Sequence, residues 1–216
     1  MSDYLNKLDE NNKYRAYYDD SKNINAVFLV IDTITNEVAH YFALKTTCIF
    51  QIDETRELFI TKNVNEDDKN EKSRESKVRV PIACPSIELS MFCNNDNYSQ
   101  KSKFNSEKYK MGRYFFDEII MPRIKELSEQ VGFTYLCLYA ADQTKKKNKE
   151  NDKTNEKKLV KYYGKLNFKG LSDIQKEINS EFIDEDNNDD NSILIIPPQT
   201  DYEVNCYFMC QRLKFD

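Results

Sequence analysis

Three cations surround a single glycine just ahead of the helix that the sequence predicts most clearly. The segment reads Lys108-Tyr109-Lys110-Met111-Gly112-Arg113, and apolar residues spaced three to four apart follow it. A helix start offers free backbone N–H groups and about half a positive charge, which suits a phosphate or diphosphate. We therefore predict anion binding here, with Gly112 allowing the chain to pass close to the ligand. The competing interpretation is an ordinary turn with solvated lysines.

An acidic residue interrupts the apolar strand that is predicted before this segment, over Ser86–Asn94. A carboxylate buried without a partner is costly, so Glu88 is expected either to be paired in a salt bridge or to act as a general base. Strand alternation would place Glu88 on the face of Phe92 and Asn94, unless a bulge reverses it. Asp142, at the end of a later predicted strand, is the next candidate for the base.

The cysteines and the histidine do not form a metal-binding pattern. The chain contains 6 Cys and 1 His, without a CxxC pair. Because a zinc site usually needs such a pair or more histidines, we expect no metal. Cys206 and Cys210 lie four apart in a predicted strand and are expected to be small core residues. His40, in an apolar strand, is expected to be structural.

Composition and charge exclude several classes of protein. With 4 Gly in 216 residues, there is no Walker-type loop and no GxGxxG fingerprint. The net charge of −5 predicts no general attraction to nucleic acid or to an anionic membrane. No apolar run is long enough to span a membrane, and the acidic, polar start does not resemble a signal peptide. A cytoplasmic protein is therefore expected.

The predicted elements form no repeat, which favours one domain over residues 1–216. Helices do not follow every strand, so an α+β fold with a mixed sheet fits better than a doubly wound sheet.

Pro122 removes a hydrogen bond from the long helix and predicts a kink or split near Ile119–Met121, while Gly132 is placed to cap its end. In order, we predict a strand pair over 25–50, a strand over 86–94, a helix over 112–131, a strand over 134–142, a helix over 159–166, a strand from 168, and strands over 193–196 and 202–213.

Three charged, polar segments are predicted to be mobile insertions, at residues 61–80, 143–157 and 181–191. They contain too little apolar surface to offset the entropy cost of ordering. The second is rich in lysine and supports an alternative, an RNA-directed module. Against that alternative, its lysines are not interleaved with aromatic residues.

The segment Leu159–Phe168 reads LVKYYGKLNF and resembles the helix-to-strand motif of the GCN5-related N-acetyltransferases (GNAT family). In this alignment Tyr163 takes the place of the family's tyrosine, and Asn167 replaces its usual glycine. Asn is a suitable replacement because it tolerates the left-handed conformation. Tyr162, the neighbouring tyrosine, is the alternative match.

The glycine segment is similar to the end of the pyrophosphate loop of the same family. Gly112 matches the second glycine of that loop, whereas Lys110 replaces the first and Glu107 replaces its Arg or Gln. The resemblance covers roughly residues 26–171. It implies a mainly antiparallel central sheet flanked by helices, as in acyl-CoA N-acyltransferases.

The resemblance implies transfer of an acetyl group from acetyl-CoA to a primary amine, by direct attack in a ternary complex and without a metal. It implies that Tyr163 protonates the leaving thiolate and that Glu88 occupies a strand position where some members carry the base. The implied cofactor contacts are the backbone of Phe92, Cys93 and Asn94 for pantetheine, and Lys108, Tyr109, Lys110, Met111, Gly112 and Arg113 for the pyrophosphate.

An alternative on the same fold is a non-catalytic CoA-binding or protein-interaction module, which the imperfect pyrophosphate loop favours. The acceptor stays open among a small-molecule amine, a protein amine and an aminoacyl-tRNA. No membrane partner and no general nucleic-acid binding are expected, and a homodimer is compatible with the sequence.

Overall fold

The computed structural model of the protein describes residues 15–22, 24–53, 57–61, 75–101, 111–141, 158–182, 193–198 and 206–213. Its elements in chain order are α1 (Arg15–Ser21), β1 (Ala26–Asp32), β2 (Glu37–Asp53), β3 (Glu57–Thr61), β4 (Glu75–Arg79), β5 (Ile82–Asn94), α2 (Asp96–Lys101), α3 (Met111–Phe115), a π-helical turn (Phe116–Ile120), α4 (Met121–Val131), β6 (Tyr135–Ala141), α5 (Lys158–Gly164), β7 (Lys169–Gly170), α6 (Leu171–Phe182), β8 (Ile193–Ile196) and β9 (Cys206–Arg212).

The central sheet has seven strands, in the order β1-β2-β5-β6-β9-β7, with β8 added beside the end of β2. The pairs β1–β2, β2–β5, β2–β8, β6–β9 and β7–β9 are antiparallel, and β5–β6 is parallel. The predicted fold class, an α+β fold with a mixed, mainly antiparallel sheet flanked by helices, is therefore confirmed.

Helices cover both faces of this sheet. On the front face, α4 and the π-helical turn bury Phe116, Ile120 and Ile124 against Phe42 and Leu136. These residues form the front cluster, and α5 packs against it. On the back face, α6 buries Ile174 and Ile178 against a second cluster on β6 and β9, and Ala16 of α1 packs on Tyr41. Among the described helices, none has both the length and the apolar character to cross a bilayer.

The long helix is divided where its proline predicts. A π-helical turn over Phe116–Ile120 immediately precedes α4, which carries Pro122 in its first turn, a position that tolerates the missing N–H. Gly132 ends α4 in the left-handed conformation at φ 74°, and its N–H bonds to the carbonyl of Ser128. The predicted cap is confirmed, and at the place of the predicted kink or split the helix changes from α to π geometry without a break in its helical conformation.

The connecting segments differ from the sequence prediction in two places. The mobility of residues 61–80 stays a prediction, but the two ends of this segment belong to the antiparallel pair β3–β4, and residues 62–74 lie outside the described part of the chain. A ladder of backbone hydrogen bonds does not require apolar side chains, so the charged composition did not exclude a strand. The strand predicted to begin at Phe168 is only Lys169–Gly170, and α6 follows at once.

The remaining insertion predictions fall largely outside the described residues, namely 143–157 and 183–191. Glu181, at the start of the third insertion, belongs to the last turn of α6 and forms an ion pair with Arg212. Residues 181 and 182 are therefore helical, and the rest of the third predicted insertion lies outside the described residues.

Candidate active site between β5 and β6

The parallel pair β5–β6 is short. It joins Ser86 to Tyr135, Ile87 to Leu136 and Glu88 to Cys137, and no register pair follows Glu88. Beyond that point β5 continues beside β2 to Asn94, and β6 continues beside β9 to Ala141. The two strands therefore separate, and no described strand pairs with the β6-facing edge of β5 after Glu88. Backbone N–H and C=O groups on that edge can pair with a ligand.

A β-bulge at Ser90 lies at the beginning of this separation. On β2, Leu44 pairs with Leu89 and the next residue, Ala43, pairs with Met91, so Ser90 has no partner on that strand. The Ser90 hydroxyl group lies 2.9 Å from the side-chain oxygen of Asn25 and 3.2 Å from the Ala43 carbonyl oxygen. These contacts hold the bulge, which shifts every later side chain of β5 by one position.

The bulge reverses the face of Glu88, the exception that the sequence prediction allowed. Leu89 and Phe92 both contact the front cluster, whereas Glu88 pairs in register with Lys45 and lies on the back face. Glu88 is therefore on the opposite face from Phe92 and Asn94, because the extra residue reverses the alternation.

Glu88 is a buried carboxylate, with 4% of its surface exposed. It lies beside Cys137 on β6, where burial and then the charge of Glu88 raise the pKa of the Cys137 thiol. The pKa of Tyr139 is also raised, first by burial and then by the neighbouring groups Cys137 and Glu88. The back face at the separation therefore contains a buried carboxylate between Cys137 on β6 and Lys45 on β2.

Tyr163 lies on α5 in the front cluster. Its ring contacts Phe168, with centroids 5.9 Å apart, and Tyr162, with centroids 5.4 Å apart. Burial raises the pKa of Tyr163 above its ordinary value, and the neighbouring groups Tyr162 and Cys93 add to the effect. The phenol therefore keeps its proton at neutral pH. The following turn has Asn167 at φ 67°, the left-handed conformation expected there.

Tyr162 reaches the start of α3. Its ring stacks on Phe92, with centroids 6.3 Å apart, and burial raises its pKa to about 12. Gly112 is buried, and a Cβ atom on it would lie 2.5 Å from the Tyr162 hydroxyl oxygen. The absence of a side chain at Gly112 thus allows this close approach. The sequence identified both residues but not their contact.

His40 is linked to the same region through Asn94. Nδ1 of His40 lies 2.8 Å from Oδ1 of Asn94, and because an amide oxygen only accepts, Nδ1 carries the proton. The His40 ring packs against Phe92 and Phe115, and its Nε2 has no hydrogen-bond partner among the described residues. The Asn94 amide nitrogen lies 3.5 Å from the position of a Cβ on Gly112. This arrangement agrees with the structural role predicted for His40.

Burial of neutral His40 makes the fold sensitive to acid. Burial lowers the pKa of His40 from 6.5 to about 4. Between pH 6.5 and pH 4 the unfolded chain binds a proton at His40 that the folded chain does not. The contribution of this residue to the free energy of unfolding is therefore fully present above pH 6.5 and falls as the pH falls toward 4. We expect the free energy of unfolding to fall by roughly 2 kcal/mol between pH 7 and pH 5 because of this residue.

Urea unfolding at both pH values tests this expectation in wild type and in His40→Phe. The variant cannot titrate, so its loss of stability between pH 7 and pH 5 should be smaller by about the same amount. An equal loss in both proteins would show that His40 is not the acid-sensitive group.

The predicted anion-binding segment is described only in part. Lys108, Tyr109, Lys110 and the candidate base Asp142 lie outside the described residues. Met111 and Gly112 open α3, and Arg113 is paired on the surface with Asp117 at 3.1 Å. Such exposed pairs contribute about 0.3–0.5 kcal/mol, so Arg113 can exchange this partner for a phosphate at little cost.

The cysteines that the structure describes are free thiols, and Cys210 is a buried core residue opposite Cys137. Cys206 is only partly buried. No group of three or more metal-ligating side chains occurs within the described parts of the chain.

No family model and no curated protein matches the chain. Among solved structures, a mutant of the AtaT toxin is similar to it, with 15% identity over 79% of this chain and 78% of that one and a TM-score of 0.40. The function of the chain is therefore inferred from its own residues and their geometry.

Proposed function

We propose that the chain is an N-acetyltransferase that transfers the acetyl group of acetyl-CoA to a primary amine. The observation that carries this proposal is the separation of β5 from β6 after three parallel pairs. It leaves an edge of β5 with which no described strand pairs, a half-buried phenol near one face of the sheet and a buried carboxylate on the other. These are the groups that an acyl transfer between a thioester and an amine requires.

The separated edge of β5 suits the pantetheine arm, whose amide groups can pair with a strand as a peptide does. Phe92, Cys93 and Asn94 would supply the backbone donors and acceptors, with one N–H available to the thioester oxygen. Acetyl-CoA supplies an activated acyl group as a thioester.

The start of α3 suits the pyrophosphate, because several donors meet there. The Asn94 amide nitrogen lies 3.5 Å from the position that a Cβ on Gly112 would take, beside the backbone N–H groups at the start of α3. Met111 and Arg113 flank Gly112 in the same turn, and Lys108, Tyr109 and Lys110 complete the proposed set. A helix start with free N–H groups favours an anion at this position.

Tyr163 and Glu88 would divide the proton transfers between the two faces of the sheet. Glu88, on the back face, accepts a proton from the incoming ammonium, directly or through water. The amine nitrogen then attacks the thioester carbon, the C–S bond breaks as the C–N bond forms, and the nitrogen loses its second proton to solvent, from which Tyr163 afterwards regains the proton that it donates. Tyr163, on the front face, donates its proton to the departing sulfur, whose thiol has a pKa near 8.5 and so needs only moderate help.

Release of CoA thiol in the presence of acetyl-CoA and a panel of amines tests the proposal. The panel should contain a polyamine, an aminoglycoside, a lysine peptide, a peptide with a free N-terminus and an aminoacyl-tRNA. Amine-dependent release supports the enzyme. Thermal stabilisation by acetyl-CoA without release from any amine supports the alternative, a non-catalytic CoA-binding module. Neither effect would contradict both.

The proposed partner is an amine acceptor in the cytoplasm, without membrane or general nucleic-acid binding. The homodimer remains a prediction from the sequence. The lysine-rich segment 143–157, on which the RNA-directed alternative depends, lies outside the described residues.

A further inference from the structure

We infer that Gly112 is a positioning residue, whose lack of a side chain accommodates the Tyr162 hydroxyl and so fixes α5, with Tyr163 on it, against the start of α3. In this view the glycine is required by a contact within the protein. The sequence alone had suggested that it is required by close approach of an anion. The inference goes beyond the proposed function, because the contact exists without any ligand.

The contact is specific to one atom. A Cβ on Gly112 would lie 2.5 Å from the hydroxyl oxygen of Tyr162, a separation that real Cβ atoms essentially never show. The next atoms, the Asn94 amide nitrogen at 3.5 Å and the ring carbon that carries the hydroxyl at 3.6 Å, are at ordinary contact distances. Removing a single oxygen atom would therefore make room for an alanine side chain.

Tyr162 cannot move away freely. Its ring lies against Phe92 on β5 and against Tyr163 on its own helix. A side chain on Gly112 must therefore displace either α5 or the start of α3. Displacement of α5 would move the neighbouring Tyr163, since the two rings are in contact. Gly112 thus acts on the proposed acid only through Tyr162.

Backbone conformation does not explain the glycine. Gly112 lies inside a helical turn, and unlike Gly132 it has no positive φ. At an unstrained helical position alanine is the more stabilising residue. If the Tyr162 hydroxyl were absent, Gly112→Ala should therefore raise the stability of the protein. In the presence of that hydroxyl the same substitution should lower it.

A double-mutant cycle in the absence of any ligand tests the inference. In wild type, Gly112→Ala should lower Tm by about 4 °C. In a Tyr162→Phe background, the same change should raise Tm by about 2 °C or leave it unchanged. Tyr163→Phe is the matched control background, since the adjacent hydroxyl is removed instead, and there Gly112→Ala should lower Tm as in wild type.

A second glycine controls for general effects of alanine on these helices. A Cβ on Gly164 would have no atom within 4 Å. Gly164→Ala should therefore change Tm equally in wild type and in Tyr162→Phe. If Gly112→Ala changes Tm equally in wild type and Tyr162→Phe, the inference is overturned. If the single variant fails to fold, a folded double variant supports the inference and an unfolded one overturns it.

Binding of acetyl-CoA across the same cycle separates a positioning role from a direct ligand contact. If Gly112 serves Tyr162, Gly112→Ala should weaken binding about tenfold alone and less than twofold in the Tyr162→Phe background. An equal loss of affinity in both backgrounds would assign the glycine to the ligand and overturn the inference. Failure of wild type to bind acetyl-CoA would contradict only the proposed function, because the Tm cycle would still stand.

Discussion

Tyr163→Phe is expected to lower the turnover of acetyl transfer about 10- to 100-fold, with less than a twofold change in affinity for acetyl-CoA. The change removes one oxygen atom and keeps the ring that packs on Phe168. Burial raises the pKa of the half-buried Tyr163 phenol, so the phenol holds its proton at neutral pH and is a weak acid toward the departing sulfur. The effect stays moderate because a thiolate is already a fair leaving group.

The matched control is Tyr162→Phe, which removes the hydroxyl from the adjacent tyrosine of the same helix. Its turnover should stay within about threefold of wild type, because Tyr162 is assigned to packing on Gly112 and Phe92. Steady-state kinetics with any amine that wild type acetylates provides the measurement. Equal losses in both variants, or no loss in Tyr163→Phe, would remove Tyr163 as the acid.

Glu88→Gln is expected to lower turnover at pH 7 about 100-fold, the second large effect. An alkyl ammonium with a pKa near 10.4 is almost fully protonated at pH 7, so attack requires removal of its proton. The amide keeps the shape of the buried side chain but cannot accept that proton. Turnover of the variant should therefore rise about tenfold per pH unit toward pH 9, whereas that of wild type should rise less steeply.

Acetyl-CoA affinity is the internal control for this variant. Glu88 faces the back of the sheet, whereas Phe92 and Asn94 lie on the front, so binding should stay within about twofold of wild type. Thermal unfolding would show whether the buried substitution has disturbed the core. A well-folded variant with the turnover and pH profile of wild type would show that Glu88 is a structural residue and not the base.

Local patterns predicted the front of the sheet well. Apolar spacing placed the helix at 112–131, Pro122 marked its division, and Gly132 marked its end. The Leu159–Phe168 motif placed Tyr163 on a short helix followed by a left-handed Asn167. These features depend on residues close together in the chain, whose conformational preferences are readable from the sequence.

Features that depend on distant parts of the chain were not predicted. The bulge at Ser90 depends on the register with β2, which no local pattern encodes, so the sequence left the face of Glu88 conditional on a bulge. The contact between Gly112 and Tyr162 joins residues 50 positions apart. In contrast, α6 could have been found, because Leu171, Ile174 and Ile178 have helical spacing and face the back cluster.

Acetyl-CoA is proposed to bind between the separated strands β5 and β6 and at the start of α3. Backbone amide chemical shifts, followed during titration of the ¹⁵N-labelled protein with acetyl-CoA, test it most directly. We predict saturable shifts concentrated at Phe92, Cys93, Asn94, Gly112 and Arg113. Absence of saturable shifts, or shifts confined to the back face around α6, would contradict the account.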